Sequence, residues 1–333
     1  MDNSSLDAYL DGSAYDRETV KFYDVAHEGA QIRAVAGAIP ELQGIHGLQP
    51  RSVVVIATDH VADAAARFVA RMRSPLRTPL VVTDSLPSYV GALDMVVVLG
   101  DRADAPETSQ GLISADRRGA TTILVGPPRG PVLEDAPDDT MLIPALPTVY
   151  GASPARSVAA LSTLLDLLEE NPDLVAQRLL DTAGCVDEEL EQLSPERDSV
   201  VNPGRQLREY ADFARVVHTG RGRPGFAVAE LMSVIWSLKG LASGVAAFDE
   251  LELPPPRPEH DIFHDPLLDG PADLLPLKVV VWAEEPDVAA TLPNALAANC
   301  DTPGTGPLAA ALKLITRGLA ATAYDLPEAP AED

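Results

Sequence analysis

Cysteine is nearly absent. Cys185 and Cys300 are the only two among 333 residues. They form no C-x-x-C pair and sit in no histidine-rich run, which excludes a disulfide framework and a structural zinc site. No metal and no cofactor are expected. Positive charge is also scarce: 25 Lys and Arg stand against 50 Asp and Glu, for a net charge of -25. Nucleic acid and anionic membranes repel such a chain, so neither is expected as a partner. A small anion can still be held where local positive groups oppose the global field. Long apolar runs are missing, and none reaches the ~18 residues of a membrane helix. The N-terminus MDNSSLDAYLDGSAYD is acidic and lacks the basic and apolar regions of a secretory leader. The chain is expected in the cytoplasm.

Apolar residues make up 46%, enough to bury a core. The length suits about two domains at roughly 150 residues each. Val20, Tyr23, Val25, Ala26, Ile32 and Val35 recur at helical spacing and predict a helix over 16–38. Five short β-branched or apolar runs then predict strands at Ser52–Ala57, Pro79–Thr83, Asp94–Leu99, Thr121–Val125 and Met141–Pro144. Helices are expected at Val61–Met72, near 106–118, and at Ser153–Glu169, where Pro154 in the first turn loses no hydrogen bond. Strands Ala214–His218 and Leu277–Ala283 and helices Phe226–Leu241 and Pro307–Ala323 repeat the plan less regularly. Continuous apolar strands alternating with helices imply parallel sheets covered on both faces. The expected fold class is α/β, with two doubly wound halves: residues 1–172, an acidic helical linker over 173–200, residues 201–326, and a disordered tail over 327–333. The Pro- and Asp-rich stretch Pro254–Pro276 reads as a loop.

Ligands of open parallel sheets bind outside the carboxyl ends of the strands. The first such turn holds Thr58, Asp59 and His60, and the third holds Gly100, Asp101, Arg102, Glu107 and Thr108. Both lead into helices, whose free N–H groups and positive dipole ends favour an anion. Gly100 permits close backbone approach, Arg102 offers a bidentate contact to phosphate, and Thr58 and Thr108 offer hydroxyls. Two readings of these turns stay open. They form a ligand cradle, or Thr58 and Asp59 cap a helix and Arg102 pairs on the surface with Asp101 or Asp104.

The segment Pro79–Val125, with Leu86-Pro87, Asp94, Glu107-Thr108 and Arg118-Gly119-Ala120, resembles the bifunctional phosphoglucose/phosphomannose isomerases of the sugar-isomerase (SIS) superfamily. Ser153-Pro154-Ala155-Arg156 is similar to that family's Pro–Arg approach to its domain-closing helix, and Asn202-Pro203 to the start of its second half. The likeness follows element order over most of the chain. It implies two SIS-type subdomains, a small phosphorylated sugar as ligand, and a homodimer, for which the apolar helices 153–169 and 307–323 would supply the contact. It also implies an enediolate-stabilising role for Arg156 and a ring-opening role for His260 or His264. The departures imply a degenerate site. The family's Ser-rich phosphate loop is replaced by Gly100-Asp101-Arg102-Ala103-Asp104, and its catalytic Glu falls near Leu241-Ala242, with no carboxylate between Glu230 and Asp249. Isomerisation needs a base to move a proton between C1 and C2. The resemblance therefore points to a phosphosugar-binding protein that is non-catalytic or regulatory. The alternative is an active isomerase with relocated groups, Glu107 or Asp249 serving as base.

One further motif stands apart. Gly220-Arg221-Gly222-Arg223-Pro224-Gly225 is a literal G-x-G-x-x-G between a predicted strand and a predicted helix. That is the setting of a dinucleotide fingerprint, whose acid about 20 residues on ends a second strand. Here Pro224 stiffens the turn and Asp249 follows a helix-like segment. A plain turn, a secondary anion site at Gly220, Arg221 and Gly222, and a dinucleotide site remain open.

Overall fold

The structure, a computed structural model, describes residues 16–252, 275–300 and 306–325. It contains two parallel sheets flanked by helices. The first sheet holds β1 (Ser52–Ala57), β2 (Leu80–Thr83), β3 (Asp94–Leu99), β4 (Thr121–Gly126) and β5 (Met141–Pro144), in the order β2-β1-β3-β4-β5. The second holds β6 (Arg215–Thr219), β7 (Ser243–Val245), β8 (Leu277–Trp282) and β9 (Ala295–Ala298), in the order β7-β6-β8-β9.

Strand periodicity explains the continuous apolar runs, because successive side chains leave opposite faces. Val53 and Val55 join one buried cluster, while Val54 and Ile56 join another. The first cluster includes Ala65 and Phe68 of α3 (His60–Met72) and most of α6 (Pro154–Leu167). The second includes Leu112 and Ala115 of α4 (Pro106–Arg117) and Val132 of the short α5 (Pro131–Glu134). The first cluster continues through the second half, where Val216, Val280 and Trp282 meet α9 (Gly222–Leu238) and α11 (Pro307–Ala321).

Several expected boundaries shift. The helix expected over 16–38 is two helices, α1 (Arg17–Ala26) and α2 (Glu28–Ala38), broken at His27, whose Nδ1 lies 2.8 Å from the Tyr23 carbonyl. The break puts Glu28 in the first turn of α2, buried. The acidic stretch beyond 172 forms α7 (Pro172–Gln192), and its face of Val175, Leu179, Ala183 and Val186 belongs to the main core. A further helix, α8 (Pro203–Tyr210), starts at an Asn202 cap. Helix α9 begins at Gly222, so Arg223, Pro224 and Gly225 form its first turn rather than a loop before it. Strands β7 and β9 have no counterpart among the sequence expectations. Ser243–Val245 and Ala295–Ala298 carry Gly and Ala where β-branched residues mark a strand. The short α10 (Pro286–Ala289) separates β8 from β9.

Helices α6 and α11 face inward over most of their surface. Their apolar residues are spent inside this chain, which corrects the expectation that they form a face for a second copy. No described helix is long and apolar enough to cross a membrane. The tail 327–333 and nearly all of the loop Pro254–Pro276 lie outside the described residues, as do His260 and His264.

Candidate functional site

Strand β1 has β2 on one side and β3 on the other, so the chain leaves its carboxyl end in opposite directions and opens a crevice. A cleft of 1220 Å³ lies there, lined among others by Thr58, Asp59, His60, Asp101, Arg102, Glu107 and Thr108. Every residue of the two first-half turns expected to bind a ligand, except Gly100, therefore lines one cleft. Gly100 lies just beneath. Its φ is +138°, and a Cβ there would stand 2.1 Å from Thr58 Oγ1 and 2.5 Å from an Asp59 carboxylate oxygen. Only glycine allows that approach.

The approach has a purpose within the fold. Asp59 is the N-cap of α3, accepting from the Ala62 N–H at 2.9 Å. Its other oxygen accepts from the Asp101 N–H at 2.8 Å and from the Thr58 hydroxyl at 3.2 Å. Thr58 Oγ1 in turn accepts from the Arg102 N–H at 3.3 Å. The backbone N–H groups of Ala62, Asp101 and Arg102, donors a phosphate could use at these two turns, are thus taken by a carboxylate and a hydroxyl of the chain itself. The capping reading holds for Asp59, while Thr58 bridges to the next turn.

Behind the turns lies a buried charged group. Asp101 accepts from the Ser153 N–H at 3.1 Å and is ion-paired with Arg156. Arg156 is fully buried, and its guanidinium also donates to the carbonyls of Ile143 at 3.4 Å and Gly126 at 3.5 Å. It holds Asp101 from behind and is not among the residues lining the cleft. Glu28, 1% exposed, accepts from the Ala155 N–H at 2.8 Å. Burial pushes its carboxyl up to about 7, opposed by hydrogen bonds from Ser153 and Ala155. Burial also raises Asp101, opposed by the charge of Arg156.

The open wall is different. Arg102 is exposed, and among the described residues no carboxylate lies within ion-pair distance of it. The expected pairing with Asp101 or Asp104 is therefore not made, because Arg156 has claimed Asp101. Besides Arg102, the cleft presents Glu107 and His60, both exposed, and the buried Thr108. Thr83 and Asp84 at the end of β2, Tyr150 and Ala152 before α6, and Leu238 at the end of α9 also line it, as does Arg67, which is ion-paired with Asp63 at 2.7 Å. Leu238 shows that the chain just before Leu241-Ala242 reaches the cleft edge with an apolar side chain. Asp249 lines a different pocket, with Gly220, Arg221 and Gly222.

Sequence reasoning missed Glu28, Asp84 and Tyr150. Asp84 was findable, since it follows a predicted strand as Asp59 and Asp101 do. Glu28 was not, because nothing local marks an acid in a predicted helix as buried. Among the described residues no group of three His, Cys, Asp or Glu is placed to hold a metal ion.

No family model matches the sequence, and no curated protein matches it. Solved structures do. The C-terminal domain of glucosamine-fructose-6-phosphate aminotransferase from Francisella tularensis superposes with a TM-score of 0.56 at 12% identity, over 93% of this chain and 97% of that one. Tagatose-6-phosphate ketose/aldose isomerase from Escherichia coli superposes with a TM-score of 0.57 at 12% identity, over 94% of this chain and 97% of that one. The likeness is one of fold: the α/β architecture with two parallel sheets flanked by helices.

Proposed function

We propose that this chain binds a small phosphorylated sugar in the cleft at the ends of β1, β2 and β3, and that it does so without running the isomerases' proton transfer. One observation carries the reading: among the described residues Arg102 has no carboxylate within ion-pair distance, in a cleft otherwise rich in hydroxyls and carboxylates. A polyol needs such groups for its hydroxyls, and its phosphate needs one uncompensated cation. Thr83, Thr108, Asp84 and Glu107 would take the sugar hydroxyls, and Arg102 the phosphate.

Catalysis lacks support at the usual place. The end of α9 brings Leu238 to the cleft, and the last carboxylate on that helix, Glu230, is bound to Arg71 at 2.7 and 2.9 Å. Glu107, exposed in the same cleft as Arg102, favours the second reading, an aldose–ketose isomerase in which it is the base that moves the C2 proton to C1.

Calorimetric titration with glucose 6-phosphate, mannose 6-phosphate and fructose 6-phosphate tests the first reading. At least one should bind, and Arg102→Ala should weaken it about tenfold, the scale of one charge-assisted contact. No binding, or equal affinity in the variant, defeats it. Turnover in a coupled assay that Glu107→Gln abolishes would favour the isomerase.

A further inference from the structure

Positive charge is scarce in this chain, with 25 Lys and Arg against 50 acids. Three of them nonetheless line one pocket of 520 Å³ at the carboxyl ends of β6 and β7, a volume in the range of small-ligand sites. Arg71 of α3 is anchored by Glu230 and lies 4.7 Å from the centroid of the Phe226 ring. Arg221 lies 5.5 Å from the centroid of the Phe248 ring, and Arg223 donates to the Ser74 carbonyl. Among the described residues neither Arg221 nor Arg223 has a carboxylate within ion-pair distance.

Three further features bear on this pocket. The glycines pack the turn tightly, for a Cβ on Gly220 would lie 2.3 Å from the Gly225 backbone and one on Gly225 2.5 Å from the Trp282 carbonyl. The first turn of α9, with no side-chain cap, thereby comes close under the pocket. Strand β7 pairs in parallel beside β6, and the chain after it brings Asp249 into the pocket lining. The segment before Asp249 is therefore a strand, and the acid stands where the sequence pattern left it out of place. Finally, Thr219, fully buried at the end of β6, has a hydroxyl with no hydrogen-bond partner among the described residues. Its register partner is Val281, which belongs to the cluster that Phe248 packs against, so the orphaned hydroxyl is on the face where Phe248 walls the pocket.

We infer that this pocket is a second binding site, for a nucleoside diphosphate. The diphosphate lies against Arg221, Arg223 and the free N–H groups of α9, and Asp249 accepts from a ribose hydroxyl. The unit β6–α9–β7 is a parallel strand–helix–strand crossover, whose ligands sit at the carboxyl ends of its strands. The site uses none of the residues assigned to the sugar, so it stands or falls apart from the reading above.

Calorimetry on the full chain with ADP, GDP, UDP and inorganic pyrophosphate tests it. At least one nucleoside diphosphate should bind. Arg221→Gln with Arg223→Gln should weaken it tenfold or more, and Arg102→Ala should leave it unchanged. The 2′-deoxy form of the bound nucleotide should bind several-fold more weakly to the native chain but not to Asp249→Asn, a comparison that leaves the arginines intact. The inference is overturned if no nucleoside diphosphate binds or if the double arginine variant binds as before. It is equally overturned if pyrophosphate alone binds as tightly and Asp249→Asn changes nothing.

Discussion

The carboxylate of Asp59 accepts the backbone N–H of Asp101 at 2.8 Å, joining the turn after β1 to the turn after β3 across the mouth of the crevice. It stands where two strand ends and a helix N-terminus converge their donors, the arrangement that elsewhere receives an anion. A negative charge fixed there opposes an incoming phosphate by on the order of 1–4 kcal/mol at close range. Asp59→Ser keeps an oxygen for the α3 cap and removes the charge. Its expected effect is about tenfold tighter binding of fructose 6-phosphate, with stability changed by less than about 1 kcal/mol. Calorimetry and urea denaturation measure the two; unchanged or weaker binding would mean that Asp59 does not limit access of the phosphate.

Arg156 illustrates a residue whose kind was legible and whose role was not. Its guanidinium is buried against Asp101, so removing it strands a carboxylate. Breaking a buried pair from one side costs about 3–5 kcal/mol. Arg156→Met should lose that much in urea denaturation, and Asp101→Asn combined with Arg156→Met should recover part of it. A cleft-facing catalytic arginine would behave otherwise, losing function with little loss of stability.

The three central strands of the first sheet, β1, β3 and β4, were legible because they are buried on both faces, which writes them as unbroken runs such as Val53–Ile56. Strand β9, Ala295–Ala298, carries no such mark, since its place comes from pairing with β8 rather than from its own propensity. The same division holds at the site. Turns after β1 and β3 can be found by locating strand ends, and both line the cleft. The partners of their charges cannot, because Asp101 to Arg156 and Glu28 to Ala155 are contacts over 55 and 127 residues. Asp249 was misjudged for a related reason: without β7, its distance from Gly220 had no structural meaning.

Two buried groups should shape stability against pH in opposite senses. Glu28 is raised from 4.5 to about 7, so the fold holds its proton more tightly than the unfolded chain. Its contribution is full below pH 4.5 and is lost as pH rises through 7. His218 is lowered from 6.5 to about 3 by burial, its Nδ1 accepting from Trp282 Nε1 at 3.0 Å. Its contribution is full above pH 6.5 and is lost as pH falls toward 3. Between 4.5 and 6.5 these two slopes oppose each other, each being about 1.4 kcal/mol per pH unit. Glu28→Gln removes one slope. The variant should match the native chain at pH 4, gain stability steadily up to pH 6.5, and exceed the native chain by about 3 kcal/mol at pH 8. Urea denaturation at pH 4, 5.5, 6.5 and 8 checks this. Parallel curves for the two proteins would show that Glu28 ionises in the fold as it does in water.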